Sequence, residues 1–461
     1  MRKLPSALAL AAVAALVCSC GSDDGASTGS EQRAAVNLAA TTGVKVVTTG
    51  LGDPYEMIQG PDGHLWVTEK SGLKVTRVDP RTGAKTTALD LTRQAVHTKG
   101  GKDGVLGLAL HPDFGRNKGT DHVYLSYSHR QGTKEVTRLA RYTAHNGKLS
   151  AEQTVLDGLP AGDDHQAARL RYGPDGKLYY SIGDQGANYL AHYCVPNQAQ
   201  NLPTAGQIAK KDWSAYPGKV LRLNPDGSIP ADNPTLDGVR SHVYAYGMRN
   251  PNGMDFRGEE LFTAENGPLT DDELNRVEKG ANYGWPNVAG YKDDKAYVYS
   301  DWAKAKGGCQ KVTFTPNPGE APAQVPTTRE RDFTKDMKAP LSTYGTTVKS
   351  GHDFGVTKVC TDPNTSYMCW PTMAPGALKV AGDEFLVTSL KNGTVYRIGK
   401  EGTSFKQLHQ SVNRYRDVAL SPDGKTLYIA TDSAGLVHGP GGAPTGKLAN
   451  PGAILAVPHG K

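Results

Sequence analysis

The string Asp163-Asp164-His165-Gln166 sets an imidazole beside two carboxylates. A histidine so placed can serve as a general base, because the neighbouring acid sets its orientation and basicity. Taken alone, the same string also fits a structural or surface histidine. Gly247-Met248-Arg249-Asn250-Pro251-Asn252-Gly253 is a tight loop with a guanidinium at its centre. Arg249 there suits an anionic or developing alkoxide oxygen, or equally the tying down of its own loop. Gly267-Pro268-Leu269-Thr270-Asp271-Asp272-Glu273, followed by Asn282-Tyr283-Gly284-Trp285-Pro286, is dense in carboxylates and tight turns. Carboxylates with free backbone carbonyls are what a hard cation such as calcium takes, although the spacing is not that of an EF-hand. Tyr367-Met368-Cys369-Trp370-Pro371-Thr372 brings two large rings close together, for stacking on a planar cofactor or a sugar face, or for a core cluster. Asn413-Arg414-Tyr415-Arg416-Asp417 puts Arg414 and Arg416 on one face of a strand. Two parallel guanidinium groups suit a polycarboxylate, with Lys391 as a third cation; a surface ladder paired with acids is the alternative. Together these elements describe a base, an anion clamp, an aromatic platform and a hard metal at one site. Sugars and a planar, multiply carboxylated cofactor both fit it.

Such groups need a scaffold that gathers distant segments, and the sequence repeats one strand unit. Pro61-Asp62-Gly63 leads into Leu65–Glu69, Pro174-Asp175-Gly176 into Leu178–Asp184, and Pro422-Asp423-Gly424 into Leu427–Asp432. Each is a tight turn followed by a short run of β-formers. Weaker copies lie at Glu260–Glu265, at Glu384–Ser389, and at Val123–Tyr127 after His111-Pro112-Asp113-Phe114. No helical spacing persists over several turns. The chain therefore reads as an all-β, six-bladed β-propeller, with a pair of β-sandwiches as the alternative. At roughly 40–50 residues per blade, six blades leave a surplus of the 461 residues. The surplus falls in long loops around residues 185–217 and 303–350, where function tends to concentrate. The repeats end in Glu69, Asp184, Glu265 and Asp432, with Lys391 just past Ser389. Read as inner-strand ends, these charges gather at one mouth of a central channel. The formal charge of +6 is spread along the chain and leaves no nucleic-acid footprint.

The start of the chain reads as an address. Arg2 and Lys3 precede an apolar run from Leu4 to Val17, shorter than the roughly 20 residues a membrane span needs. Leu16-Val17-Cys18-Ser19-Cys20-Gly21 resembles a bacterial lipobox, so residues 1–19 read as a lipoprotein signal peptide with lipidation at Cys20. Cleavage without lipid is the alternative. Residues 20–40 read as a flexible tether and 41–461 as the catalytic propeller. Export places the protein on the outer face of a membrane, in an oxidising compartment. A local disulfide between Cys360 and Cys369 is expected there. Cys194 and Cys309 are a second candidate pair that spacing cannot settle.

The longer strings carry a resemblance. Gly107-Leu108-Ala109-Leu110-His111-Pro112-Asp113-Phe114, Pro196-Asn197-Gln198-Ala199-Gln200, Gly218 through Asn224, Tyr283 through Asp294 and Asn413 through Val418 look like the soluble quinoprotein glucose dehydrogenases. These use pyrroloquinoline quinone (PQQ) and calcium, and their fold is a six-bladed propeller. The likeness runs from about Tyr55 to the C-terminus and thins between Lys295 and Val348. It implies His165 as the base for the anomeric hydroxyl, Asp164 as a sugar-contacting acid and Asp184 as an acid behind the base. It implies Arg249 as the group holding the sugar O1 and the quinone oxygen. Asn250, Thr372, Lys391, Arg414 and Arg416 match PQQ-binding positions, and Tyr367 and Trp370 the walls of the sugar site. The carbonyls of Gly267 and Pro268 match the calcium that also binds PQQ. Glu273, Tyr283, Ala289 and Asp293 match a separate structural calcium.

The implied reaction is oxidation of an aldose at C1 to the lactone, with electrons passed to an external acceptor. Lys102 stands where that family usually has a sugar-contacting Gln, so it is expected in the substrate site and leaves the preferred sugar open. Met248, the additional Cys194 and Cys309, and a lipid anchor also depart from the pattern. Dimerisation is a family tendency that a tethered protein need not share. Two rival readings are a calcium-dependent lactonase-type hydrolase and a non-catalytic propeller binding a glycan or protein.

Overall fold

The computed structural model describes residues 43–460 except 117, 318, 345, 355–357, 363 and 364. The signal peptide, Cys20 and the whole of the tether lie outside the described residues. Six antiparallel sheets follow one another along the chain. Blade 1 is Pro54–Gln59, Leu65–Glu69, Lys74–Val78 and Lys85–Asp90, and blade 2 is Val105–Leu110, His122–Gln131, Lys134–His145 and Lys148–Pro160. Blade 3 is Ala167–Tyr172, Leu178–Ile182, Lys219–Leu223 and Val243–Tyr246. Blade 4 has three strands, Gly253–Arg257, Glu260–Glu265 and Glu273–Val277. Blade 5 is Pro375–Ala381, Glu384–Ser389, Thr394–Ile398 and Lys406–Gln410. Blade 6 is Tyr415–Leu420, Thr426–Thr431 and Ile454–Pro458, completed by Lys45–Thr48 from the start of the described chain. The first strands of successive blades touch in a closed ring, the last meeting the first. The six-bladed propeller is thus present.

The repeated turn-and-strand unit has a defined place. All six copies are second strands, and in blades 1, 3 and 6 a Pro-Asp-Gly turn joins the innermost strand to its neighbour. The polar ends therefore belong to second strands rather than to the innermost ones. They lie at the same end of the blades all the same, because an antiparallel neighbour ends where the innermost strand begins. Apolar side chains fill the spaces between blades. Leu106, Tyr124 and Leu139 of blade 2 pack against Leu170, Tyr180 and Leu221 of blade 3. Leu65, Val67 and Val78 of blade 1 pack against Ala430 and Ile454 of blade 6. The two long loops follow Ile182 and Val277, and the Cys194–Cys309 disulfide ties them together. Cys360 and Cys369 are also bonded.

Five of the six innermost strands break register close to their start, between Pro54 and Met57, Val105 and Leu108, Ala167 and Leu170, Pro375 and Leu378, and Tyr415 and Asp417. Such bulges release backbone groups from the ladder. Arg169, fully buried on the axis, collects several of them. Its guanidinium donates to the carbonyls of Asn252 at 2.5 Å, Gly376 at 2.6 Å, Tyr55 at 3.0 Å and Arg416 at 3.3 Å. Its charge is met by Asp417 at 3.2 Å and Glu56 at 3.8 Å. Those carboxylates accept in turn from Met57 N and Leu108 N, which brings blade 2 into the same network. Removing one partner of such a buried network costs about 3–5 kcal/mol. Arg169→Met is therefore expected to lower the unfolding free energy by that amount, read from guanidinium denaturation midpoints. A loss under about 1 kcal/mol would show that the hub does not hold the blades.

Candidate active site

His165 stands just before the innermost strand of blade 3, with φ of 37°. Its carbonyl lies where a Cβ on residue 183 would sit, 1.9 Å away, so Gly183 is required opposite it. The imidazole Nδ1 lies 2.7 Å from Asp184 Oδ1. Asp184 is buried and held by the Gly186 amide, the Asn197 carboxamide and the Trp285 indole N–H. A carboxylate fixed on one side keeps the proton on Nδ1 and leaves Nε2 as the basic atom. Asp164 Oδ1 lies 3.8 Å from that Nε2. Burial alone would raise the Asp164 pKa, but His165 and Lys102 outweigh it and keep the carboxyl below its usual range.

Arg249 arrives from the loop between blades 3 and 4, and Gly247 in that loop has φ of 76°. Arg249 is 6% exposed, its Nη1 donates to the Asn266 carbonyl at 3.0 Å, and its amide donates to Glu265. The guanidinium lies 5.5 Å from the Trp285 ring centre and 5.8 Å from that of Tyr189. Contact with two aromatic rings restrains it without neutralising it.

His165 and Arg249 line one cavity of about 270 Å³, together with Lys102, Asp164, Asn250, Gly267, Pro268, Tyr367, Trp370, Thr372, Lys391, Arg414 and Arg416. Asp184 stands behind His165. The clamp is a built one. Asp432 pairs with Arg414 at 3.1 Å and Arg416 at 2.8 Å, so both guanidinium groups are held from behind. Lys391 donates to the Trp370 carbonyl at 2.7 Å and to Thr372 Oγ1 at 3.2 Å. Burial lowers its pKa, and Asp272 works against that. Burial, then Arg414 and Lys70, push the Lys102 ammonium down to about 8. Five cationic side chains thus face Asp164 and Asp272 across the cavity, with Asp432 beneath. Gln166 Oε1 and Asn250 Oδ1 are buried at the cavity without a hydrogen-bond partner among the described residues. A planar polyanion with its own polar edge fits such a lining.

The turn after Glu265 carries the cation-binding candidates. A Cβ on Gly267 would meet the Thr270 carbonyl oxygen at 1.8 Å and that of Asp271 at 2.6 Å, so carbonyls crowd here. Asp272 straps this turn to the aromatic loop, accepting from Gly267 N, Met373 N and Ala374 N. Further out, Glu273 accepts from Gly290 N at 2.7 Å, beside Ala289 and Asp293. The side chain of Tyr283 is directed elsewhere: its hydroxyl donates to the Arg276 carbonyl and its ring joins an apolar cluster. Only its main chain is available for a ligand role. Burial raises the pKa values of Asp271, Asp272, Glu273 and Glu330, and neighbouring carboxylates add to the rise in Asp271, Glu273 and Glu330. That excess of negative charge fits a divalent ion. Among the described residues no three carboxylate, imidazole or thiol groups converge as a ligand set, so an ion held here would need main-chain oxygens as well.

Three contributors were not singled out in the sequence. Tyr189 walls the cavity from the loop after blade 3's second strand. Trp285 holds both Asp184 and Arg249. Glu330 receives the amides of Ala289, Asp293 and Asp294. Each sits in a loop without a local pattern; only the Gly284-Trp285-Pro286 turn carried any signal.

A family model described as Glucose / Sorbosone dehydrogenase matches residues 51–343. Quinoprotein glucose dehydrogenase B of Acinetobacter calcoaceticus is 41% identical over 440 residues, spanning 89% of this chain and 90% of that protein. Aldose sugar dehydrogenase YliI of Escherichia coli K12 is 29% identical over 274 residues, 56% of this chain and 67% of that protein. In fold the chain is similar to the PQQ-bound form of an aldose sugar dehydrogenase from Streptomyces coelicolor. That match has a TM-score of 0.58 at 24% identity and covers 90% of this chain and 97% of the other. By its sequence, and with the propeller and the cavity in agreement, the chain belongs to the glucose/sorbosone dehydrogenase family.

Proposed function

We propose that the protein is a PQQ- and calcium-dependent aldose dehydrogenase that oxidises sugars at C1 to the lactone. The observation that carries the reading is the shared cavity. His165, oriented by Asp184, and Arg249, set against the Trp285 and Tyr189 rings, face the same space as the Lys391–Arg414–Arg416 clamp. The quinoprotein relative that spans most of the chain supports the choice of PQQ. Bound in the cavity, PQQ supplies a carbonyl that accepts a hydride, and a calcium ion at the Gly267 and Pro268 carbonyls supplies Lewis acidity.

The remaining work belongs to side chains of this protein. Nε2 of His165 takes the proton from the sugar O1 as hydride leaves C1, so the hemiacetal becomes a lactone. Asp184 keeps the imidazole in the required tautomer and supports its positive charge. Arg249 donates to oxygens where negative charge develops. Asn250, Thr372, Lys391, Arg414 and Arg416 hold the cofactor's carboxylates and edge. Asp164, Lys102, Tyr367 and Trp370 bind the sugar. An external acceptor then removes the electrons. Glu273, Ala289, Asp293 and the main chain of Tyr283 hold a second, structural calcium. The charged start, apolar run and Cys20 support an exported protein anchored by lipid on the outer face of a membrane.

Three outcomes follow. The purified chain, reconstituted with PQQ and calcium, is expected to reduce an artificial dye with at least one member of an aldose panel. No reduction with any aldose would contradict the reading. His165→Ala is expected to lower kcat about 10²–10⁴-fold while PQQ still titrates to the same midpoint; retained turnover would remove the base from its role. Chelation of calcium is expected to lower both the melting temperature and dye reduction, with both restored by calcium. An unchanged melting temperature would remove the structural ion.

A further inference from the structure

We propose that the far end of the propeller axis is a second ligand site, which takes an organic carboxylate with an apolar body and holds its charge on Arg171 and Lys379. The site goes beyond the dehydrogenase reading and does not depend on it. Successive positions of the innermost strands pass from the catalytic cavity, through the hub, to another cavity. In blade 3, Ala167 lines the catalytic cavity, Arg169 is the hub and Arg171 lines the second cavity. Tyr55 and Met57 in blade 1, and Arg416 and Val418 in blade 6, divide in the same way around Glu56 and Asp417. The second cavity has a volume of about 550 Å³, against about 270 Å³ for the first. Small-molecule sites occupy roughly 300–1,000 Å³. All six innermost strands reach it, blade 2 through Leu110, blade 4 through Asp255 and blade 5 through Lys379.

The lining is amphiphilic. Met57, Ile58, Leu110, Phe114, Val418 and Leu420 supply apolar wall. The charged groups are joined to one another. Asp255 Oδ2 accepts from Lys379 Nζ and from Val380 N, both at 2.8 Å, and Oδ1 lies 3.9 Å from Arg171 Nε. Burial would raise the pKa of this carboxyl, but Lys379 and Arg171 outweigh it and hold it below its usual range. Asp255 therefore stays charged and holds both cations in place. On the other side, Arg171 Nη1 donates to Glu56 and to the Leu170 carbonyl at 2.9 Å. The Nε and Nη2 of Arg171 make no hydrogen bond among the described residues, although its side chain is only 15% exposed. Those two nitrogens are an edge that takes a carboxylate through two parallel bonds. Arg116 adds a third cation at the rim, where Asp113 pairs with it at 3.4 Å. Three cationic side chains thus line the cavity against the single carboxylate of Asp255, since Glu56 is shared with the hub. That surplus favours an anion over a metal ion. The walls favour a body without hydroxyl groups, which they would leave unpaired.

The test titrates octanoate and phenylacetate, a chain and a ring, into the full chain by calorimetry, with and without PQQ. At least one of the acids is expected to bind once per chain, at an affinity that PQQ does not alter. Octanol, which lacks the charge, is expected to bind about tenfold more weakly than octanoate. Acetate, which lacks the apolar body, is expected to bind about a hundredfold more weakly. Lys379→Met, at a partly exposed position, is expected to weaken the bound acid about tenfold. Leu420→Asp, which sets a second carboxylate in the cavity, is expected to abolish its binding. Both variants are read with a circular dichroism spectrum matching wild type; if either misfolds, the alcohol, acetate and PQQ comparisons on wild type decide. No saturable binding of either acid would overturn the inference. So would an alcohol as tight as its acid, displacement of the acid by PQQ, or wild-type affinity in a folded variant. Failure of every aldose to reduce the bound quinone would overturn the dehydrogenase reading and leave this site standing.

Discussion

The carbonyl oxygens released by three bulged strands end on one guanidinium, that of Arg169. Everything above depends on that arrangement. A regular strand has no spare backbone groups, and six regular strands would offer the axis only side chains. By slipping register near their start, the innermost strands turn carbonyls and amides inward. Those groups must be satisfied away from water. Arg169, Glu56 and Asp417 do so, and in doing so they fix the height and angle at which each strand begins. The cavity rests on this layer, since Tyr55 is both a hub carbonyl and a cavity wall.

Above the hub, the site is organised by charge held from behind. Asp184 supports His165, Asp432 supports Arg414 and Arg416, and Asp272 opposes the neutralisation of Lys391. Each cavity-facing group is thereby oriented before a ligand arrives, and little reorganisation is left for the reaction. The surplus of cations and the oxygens of Gln166, Asn250 and Tyr189, unpartnered among the described residues, make a lining that a bound polar ligand would complete. The acidic turn from Gly267 to Glu273 carries the opposite imbalance, which a divalent cation would relieve.

The legible parts of the sequence were those written locally. Pro-Asp-Gly turns with β-forming runs gave the blades, because turn and strand are determined over a few residues. The polar ends after those runs pointed to one mouth, although their strands proved to be second from the axis. His165, Arg249, Arg414 and Arg416 stood out through neighbours in the chain, and they share one cavity. What stayed hidden depends on loops that meet only in three dimensions. The Cys194–Cys309 bond, named from sequence as a candidate pair that spacing could not settle, joins segments 115 residues apart. Tyr189 and Glu330 gain their surroundings from those same loops. Arg169 reads as an ordinary alternating residue until the strands of blades 1, 5 and 6 are seen around it.

The central claim is that His165 and Arg249 act on a sugar held against a quinone in this one cavity. It is tested most directly by a single turnover followed by absorbance, without oxygen and without any dye. The calcium-loaded protein carrying PQQ is mixed with an aldose. The account predicts that the spectrum of the bound quinone converts to that of the quinol at a rate that falls steeply in His165→Ala. A quinone spectrum unchanged by every aldose, with PQQ demonstrably bound, would contradict it.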